Sequence, residues 1–229
     1  MNKLINLIVI NLFAFLNLIS EGILYAVTQY HKRFMSMNNP FKNTVFVTGV
    51  REYKSMPQDK GVEVVLAGRS NAGKSSALNA LVDNPKLART SKTPGRTTEV
   101  NFFKVNEKLK LLDLPGYGYA KTRHKLIEGW GSLISEYFLK RASLKALILF
   151  MDIRRPLRKS DINVIDLCKK HSVDCIPTLT KADKLSNNRV ATVKREVVTA
   201  LNIEDVIVTS TVKNIGFKSL SSVILSYQN

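Results

Sequence analysis

The chain has 229 residues, 45% of them hydrophobic. That suffices for one sizeable domain with a full core plus a tail, and excludes two large domains. Thirty-five Lys and Arg oppose 18 Asp and Glu, a formal net charge of +17, so a polyanionic partner is expected, either nucleic acid or an anionic membrane surface. Two cysteines, Cys168 and Cys175, are too few for a disulfide framework or a zinc site and fit a reducing cytosol.

Residues 4–27 are mostly Leu, Ile, Val, Phe and Ala behind Lys3, but Asn6, Asn11, Asn17, Ser20 and Glu21 interrupt them. The uninterrupted pieces fall short of the ~20 apolar residues that a spanning helix needs. No clear A-x-A site follows to mark a cleaved leader. Residues 1–37 therefore read as an extension, either upstream of a start at Met35 or Met37 or acting as a membrane anchor. The domain proper is expected over 38–229.

Residues 44–50 read as a short strand or an extended arm. A valine-rich run at 62–67 has the character of a buried strand, and 76–82 places apolar residues at helical spacing. Residues 87–98 are polar and basic, punctuated by Pro94-Gly95, and read as an exposed loop. Residues 100–105 and 109–112 look like a hairpin around Asn106-Glu107-Lys108. An amphipathic helix follows at 125–141, then an apolar strand at 146–151 and a helix at 160–171. A strand at 175–179, a helix at 189–201, a strand at 206–208 and a helix at 220–227 complete the chain. Strands alternating with helices imply an α/β fold, a doubly wound and mostly parallel sheet with helices on both faces.

Between the strand at 62–67 and the following helix lie Gly68-Arg69-Ser70-Asn71-Ala72-Gly73-Lys74-Ser75. The spacing G-x-x-x-x-G-K-[ST] after a strand and before a helix makes an anion nest of backbone N–H groups at a helix N-terminus. Lys74 is placed to reach β- and γ-phosphates, and the Ser75 hydroxyl to take one Mg²⁺ position. Asp113-Leu114-Pro115-Gly116 follows the second hairpin strand. A carboxylate at a strand end opposite a phosphate loop can hold Mg²⁺ through water, and Gly116 lets a backbone N–H approach the γ-phosphate. Thr180-Lys181-Ala182-Asp183 follows the 175–179 strand. Asp183 can accept from the N1–H and 2-amino group of guanine, which adenine does not offer in that arrangement. Lys181 can lay its stem along the base. Thr209, Ser210 and Thr211 are a small polar loop suited to the guanine carbonyl. Within Gly95-Arg96-Thr97-Thr98-Glu99, Thr97 is the candidate second hydroxyl on Mg²⁺, with Thr98 its competitor.

These residues resemble the EngB (YihA/YsxC) GTPases. The resemblance rests on 68–76, on Ala88-Arg89-Thr90-Ser91-Lys92-Thr93-Pro94-Gly95-Arg96-Thr97 and on Asp113-Leu114-Pro115-Gly116-Tyr117-Gly118-Tyr119-Ala120. It also rests on Met151-Asp152-Ile153-Arg154 and Thr180-Lys181-Ala182-Asp183-Lys184, and it covers about residues 40–227. It implies a Mg²⁺-dependent GTPase, a cytoplasmic monomer that acts on the large ribosomal subunit precursor, its RNA and proteins rather than DNA, with a link to cell division and septation. On motif match Ser75 and Thr97 become Mg²⁺ ligands beside Asp113, Lys74, Thr97 and Gly116 the catalytic set, and 95–99 the first switch. Thr209-Ser210-Thr211 stands where the family usually has an aromatic residue and two serines. A competing reading is an RNA-binding scaffold in which GTP is mainly structural.

Tyr117 stands where Ras-type GTPases place a water-orienting glutamine, and no neighbouring side chain in the sequence replaces it, so unaided turnover is expected to be slow. Asn71 lies where related GTPases without that glutamine hold a potassium ion, which would add positive charge where the transition state develops negative charge. GTP hydrolysis should then run faster in K⁺ than in Na⁺ buffer, and Asn71→Ala should erase the difference. Equal turnover in the two salts would remove the assignment.

Overall fold

The computed structural model describes residues 39–88, 99–118 and 126–228. The chain divides into two units, Met1–Lys42 and Asn43–Asn229, and every element below belongs to the second. Seven strands form one sheet: β1 (Val45–Val50), β2 (Val62–Gly68), β3 (Val100–Lys104), β4 (Leu109–Asp113), β5 (Leu144–Asp152), β6 (Asp174–Thr180) and β7 (Ile207–Val208). Their spatial order is β1-β3-β4-β2-β5-β6-β7, and only β3 runs against its neighbours. Five helices accompany them: α1 (Lys74–Leu81), α2 (Leu126–Lys140), α3 (Lys159–Lys170), α4 (Asn187–Leu201) and α5 (Phe217–Ser226). This is the doubly wound, mostly parallel sheet that the alternation of periodicities predicts. Among the described residues no helix is long and apolar enough to cross a membrane, and the apolar run at 4–27 lies outside them.

Central strands must be apolar on both faces, because helices cover both. In β5, residues 146–151 are all buried, five of them large side chains worth about 1.5–3 kcal/mol each relative to exposure. β2 lies between β4 and β5, and its residues 63–68 are buried. The chain goes from β2 to the β3–β4 side of the sheet and only later crosses to β5. The C-terminal end of β2 is therefore the point where strand order reverses, the place where such sheets open a crevice. The 44–50 segment resolves as edge strand β1, paired antiparallel to β3 with Phe46 edge-on to Phe103 at 5.7 Å. A register shift between Phe46 and Thr48 bulges this edge, a device that discourages further strand pairing.

The opposite end of β2 carries a buried charge. Glu63 is fully buried and accepts from Arg141 Nη2 at 2.6 Å, Arg141 Nε at 3.0 Å and the Tyr137 hydroxyl at 2.9 Å. Burial and then the Glu63 charge hold the Tyr137 hydroxyl well above its ordinary pKa, so it remains a donor. Asp59 accepts the backbone N–H groups of Ala142 and Ser143 at 2.8 and 2.9 Å, which fixes the turn from α2 into β5. Arg141→Met should lower unfolding free energy by about 3–5 kcal/mol, because it leaves the Glu63 carboxylate buried without its main counter-ion. The urea midpoint measures this, and adding Glu63→Gln to that variant should recover part of the loss.

Candidate active site

Five strand ends meet at the C-terminal edge of the sheet. β2 ends in Gly68, where an added Cβ would lie 2.7 Å from the Phe150 carbonyl, so a side chain has no room. The loop beyond takes positive φ at Asn71 (63°) and Gly73 (96°), and Gly73 caps α1 with no side chain of its own. No acidic residue occupies the first turn of α1. Its N-terminus thus offers N–H groups and the Lys74 charge to an anion.

The end of β6 holds this loop in place. Thr180 Oγ1 donates to the Ala72 carbonyl at 2.5 Å and lies 3.2 Å from the Met151 carbonyl. Lys181 Nζ donates to the Asn71 carbonyl at 2.5 Å and pairs with Asp152 Oδ2 at 3.1 Å. The sequence reading gave Lys181 a stem along a base; the structure also gives its ammonium a task on the phosphate loop. Lys181 adopts φ 61°, and Ala182 N–H then donates to the Thr209 carbonyl at 3.1 Å. That turn joins the two base-recognition candidates. Ser210 Oγ donates to Asp183 Oδ1 at 2.7 Å, and Lys184 Nζ lies 3.3 Å from Oδ2. The Ser210 hydrogen bond is the main cause that holds the Asp183 carboxyl below its ordinary pKa, so it stays ionised and accepting.

Thr209 is buried and its hydroxyl donates to the Leu179 carbonyl at 3.1 Å, whereas Thr211 is exposed. Gly73, Ser76, Ala77, Thr180, Lys181, Thr209 and Thr211 line an open cleft. Gly216, at φ 83°, turns the chain back into α5; a Cβ there would sit 2.0 Å from the Val208 carbonyl. The loop expected at the guanine carbonyl thus also aims Asp183, through the Ser210 hydroxyl.

On the other side of the loop, Lys74 Nζ pairs with Asp113 Oδ1, both nearly buried. Ser75 is the second residue of α1 and half-buried. Gly116 lies against Ser70, where an added Cβ would come within 3.0 Å of Oγ. Ser70 N–H donates to the Tyr117 carbonyl at 2.8 Å, and Tyr117 N–H to the Gly68 carbonyl at 3.3 Å. Gly95, Arg96, Thr97 and Thr98 lie outside the described residues. Glu99 is described, and it accepts from Arg51 Nε at 3.0 Å.

Mg²⁺ fits the donors present. A hydroxyl and a carboxylate are hard oxygen ligands, and no group of three His, Cys, Asp or Glu among the described residues could cage a metal alone. An ion here would complete its shell with phosphate oxygens and water, as Mg²⁺ does.

Tyr117, Arg69 and Asp152 make contacts that their sequence neighbourhoods do not reveal. Tyr117 is buried and donates its hydroxyl to Asp161 Oδ1 at 2.9 Å, so the residue in the glutamine position turns inward. Burial first, then the Asp161 charge, raises its pKa far above the ordinary value. Arg69 Nη2 donates to the Arg155 carbonyl at 2.8 Å, and Asp152 lies between Lys181 and Arg154. Burial opposes ionisation of Asp152, but hydrogen bonds led by Arg154 outweigh it and hold the carboxyl well below its ordinary range.

The family described as 50S ribosome-binding GTPase matches residues 63–181. The "Probable GTP-binding protein EngB" of Tolumonas auensis is 47% identical over 157 residues, covering 69% of this chain and 74% of the relative. The protein of the same name from Aeromonas salmonicida is 42% identical over 188 residues, covering 80% of this chain and 87% of its own. A crystal structure of a probable GTP-binding protein EngB superposes with a TM-score of 0.59 at 19% identity, over 72% of this chain and 98% of that one, a likeness of fold.

Asp183→Asn should weaken GTP binding by about 2–4 kcal/mol and favour xanthosine nucleotides, read by nucleotide titration. Ser210→Ala should cost about 0.5–1.5 kcal/mol near neutral pH. It should also move the acid-side loss of affinity to higher pH, because a carboxyl whose pKa is no longer depressed protonates sooner as pH falls. A wild-type pH profile in Ser210→Ala would show that the hydroxyl does not tune Asp183.

Proposed function

This chain belongs to the EngB family of GTP-binding proteins, and on that premise we propose that it is a Mg²⁺-dependent GTPase switch acting on the large ribosomal subunit precursor. The observation that carries the reading is the brace across the site. The residues that would choose guanine, Thr180 through Asp183, also hold the loop that would take the phosphates. Base identity and phosphate geometry are thereby set by one rigid unit.

In this reading the α1 N-terminus and Lys74 bind the phosphates, and Ser75 and Asp113 hold Mg²⁺ together with Thr97. Mg²⁺ supplies positive charge at the phosphate oxygens where hydrolysis to GDP and phosphate concentrates negative charge. Lys74, paired here with Asp113, would meet a phosphate oxygen when nucleotide is bound, which would leave Asp113 to help hold Mg²⁺. Gly116 provides a backbone N–H with no side chain in the way. Tyr117 is turned inward, so the side chain in the glutamine position does not orient water, and turnover without an activator is slow. Asn71 and K⁺ are the proposed monovalent-ion site.

The ribosomal role draws on the family's description as 50S ribosome-binding and on the charge of +17. In the sequence, basic residues flank the nucleotide motifs: Arg89, Lys92 and Arg96 before β3, Lys121, Arg123 and Lys125 after β4, and Arg154, Arg155, Arg158 and Lys159 after β5. Nucleotide state and polyanion contact share these segments, and the reading carries with it a cytoplasmic protein required for cell division and septation.

Cosedimentation tests it. Binding to large ribosomal subunits should be tighter with a non-hydrolysable GTP analogue than with GDP and should fall steeply as salt rises. Equal binding in both nucleotide states would favour the scaffold reading, and binding to anionic vesicles but not to subunits would remove the ribosomal one.

A further inference from the structure

The loop between β5 and α3, residues 153–158, belongs to none of the nucleotide motifs, yet it is tied to the site at both ends. At its start Ile153 N–H donates to the Thr180 carbonyl at 3.0 Å, and Asp152 pairs with Lys181. At its end Asp161, wholly buried, accepts the Arg158 N–H through Oδ2 at 3.0 Å. In the middle the Arg155 carbonyl accepts from Arg69 of the phosphate loop at 2.8 Å. Leu157 is forced to φ 53°, a conformation that a branched side chain adopts only under outside constraint.

Charge is sorted across this loop. Its carboxylates point in: Asp152 is 14% exposed and Asp161 not at all. Its cations are exposed: Arg154, although paired with Asp152, and Arg155, Arg158 and Lys159. The apolar residues, Ile153 and Leu157, pack on the core, so nothing is left to insert into a lipid layer. An outward face of guanidinium and ammonium groups without an apolar anchor matches a phosphodiester backbone.

Asp161 has more claimants than oxygens. Its Oδ1 is taken by the Tyr117 hydroxyl at 2.9 Å, while Arg69 Nε stands 3.4 Å from the same oxygen. That Nε is buried and has no hydrogen-bond partner among the described residues. A buried guanidinium N–H left unmade is a standing demand for an acceptor. In this structure Oδ1 is bonded to Tyr117 while Arg69 Nε stands just outside bonding distance, and withdrawal of Tyr117 would let Oδ1 close on Arg69. Tyr117 directly follows Gly116, the residue expected to meet the γ-phosphate, and Arg69 carries the carbonyl of Arg155.

We propose that the β5–α3 loop docks on the phosphate backbone of RNA, and that Asp161 couples this grip to the nucleotide by passing Oδ1 between Tyr117 and Arg69. This rests on the ribosomal reading above and adds the surface and its control. Tyr117→Phe removes the competing hydroxyl, keeps the ring, and leaves Arg69 in possession of Asp161 whatever nucleotide is bound.

Cosedimentation with large ribosomal subunits over a salt series, in GDP and in a GTP analogue, provides the test. Wild type should bind about five-fold or more tighter in one state. Tyr117→Phe should bring that ratio to within about two-fold of unity, with the melting temperature reporting an intact fold. Arg155→Ala with Arg158→Ala should weaken binding in both states and reduce the salt slope by about 0.7–0.9 per lost phosphate contact. A wild-type ratio in Tyr117→Phe, or a wild-type affinity and slope in the double variant, overturns the inference while the ribosomal reading stands. Failure of wild type to bind subunits overturns both. Phosphatidylglycerol vesicles binding wild type more tightly than subunits do, and losing it in the double variant, would assign the loop to membrane and overturn the RNA claim.

Discussion

Two hydrogen bonds to carbonyls hold the site together, from Thr180 to Ala72 and from Lys181 to Asn71. A loop with positive φ at a non-glycine residue costs energy in isolation, and it persists only where its surroundings over-determine it. Here the end of β6 supplies that constraint. Peptide planarity does the rest: with the Ala72 carbonyl turned to Thr180, the N–H of Gly73 must face the other way. The phosphate nest is thus shaped by residues more than a hundred positions downstream. It exists only when the parallel sheet has closed around β5.

The sheet also separates rigid from adjustable chemistry. At the N-terminal end of β2, both Glu63 oxygens are held by Arg141, Oε2 also by Tyr137, and Lys110 stands 3.5 Å from Oε1, so the carboxylate is enclosed by partners of the fold itself. At the C-terminal end, each carboxylate has competitors. Asp113 is held by a lysine that phosphates would also claim, Asp183 is shared by Ser210 and Lys184, and Asp161 is contested by Tyr117 and Arg69. A saturated network fixes a fold, whereas a contested one lets a ligand change which bonds are made.

Much of this was legible in the sequence because it is local. Valine-rich runs gave β2, leucine-rich runs β4 and β5, and the motif residues fell at strand ends because the motifs themselves consist of a strand followed by a turn. Strand and helix boundaries moved by one to a few residues; β5, for example, extends to Leu144 and Asp152 because these ends pair with β2 and β6, although Lys145 and Asp152 are charged. The Asp161 cluster was not legible. Asp161 meets Tyr117 across 44 positions, and Arg69 meets Arg155 across 86, so no window of sequence contains the pattern. At N3 of α3, Asp161 caps the helix with one oxygen, while its second oxygen does something else.

Asp161 therefore links two kinds of information in one carboxylate. One oxygen fixes the start of α3, and so the outward direction of the basic loop. The other registers where the chain after Gly116 lies. The loop's cations are exposed and cheap to move, but the backbone beneath them is pinned by Thr180 and Arg69, at the nucleotide site, and by Asp161 behind it. A surface lysine elsewhere would feel the nucleotide only through screened, long-range charge. These feel it through bonds.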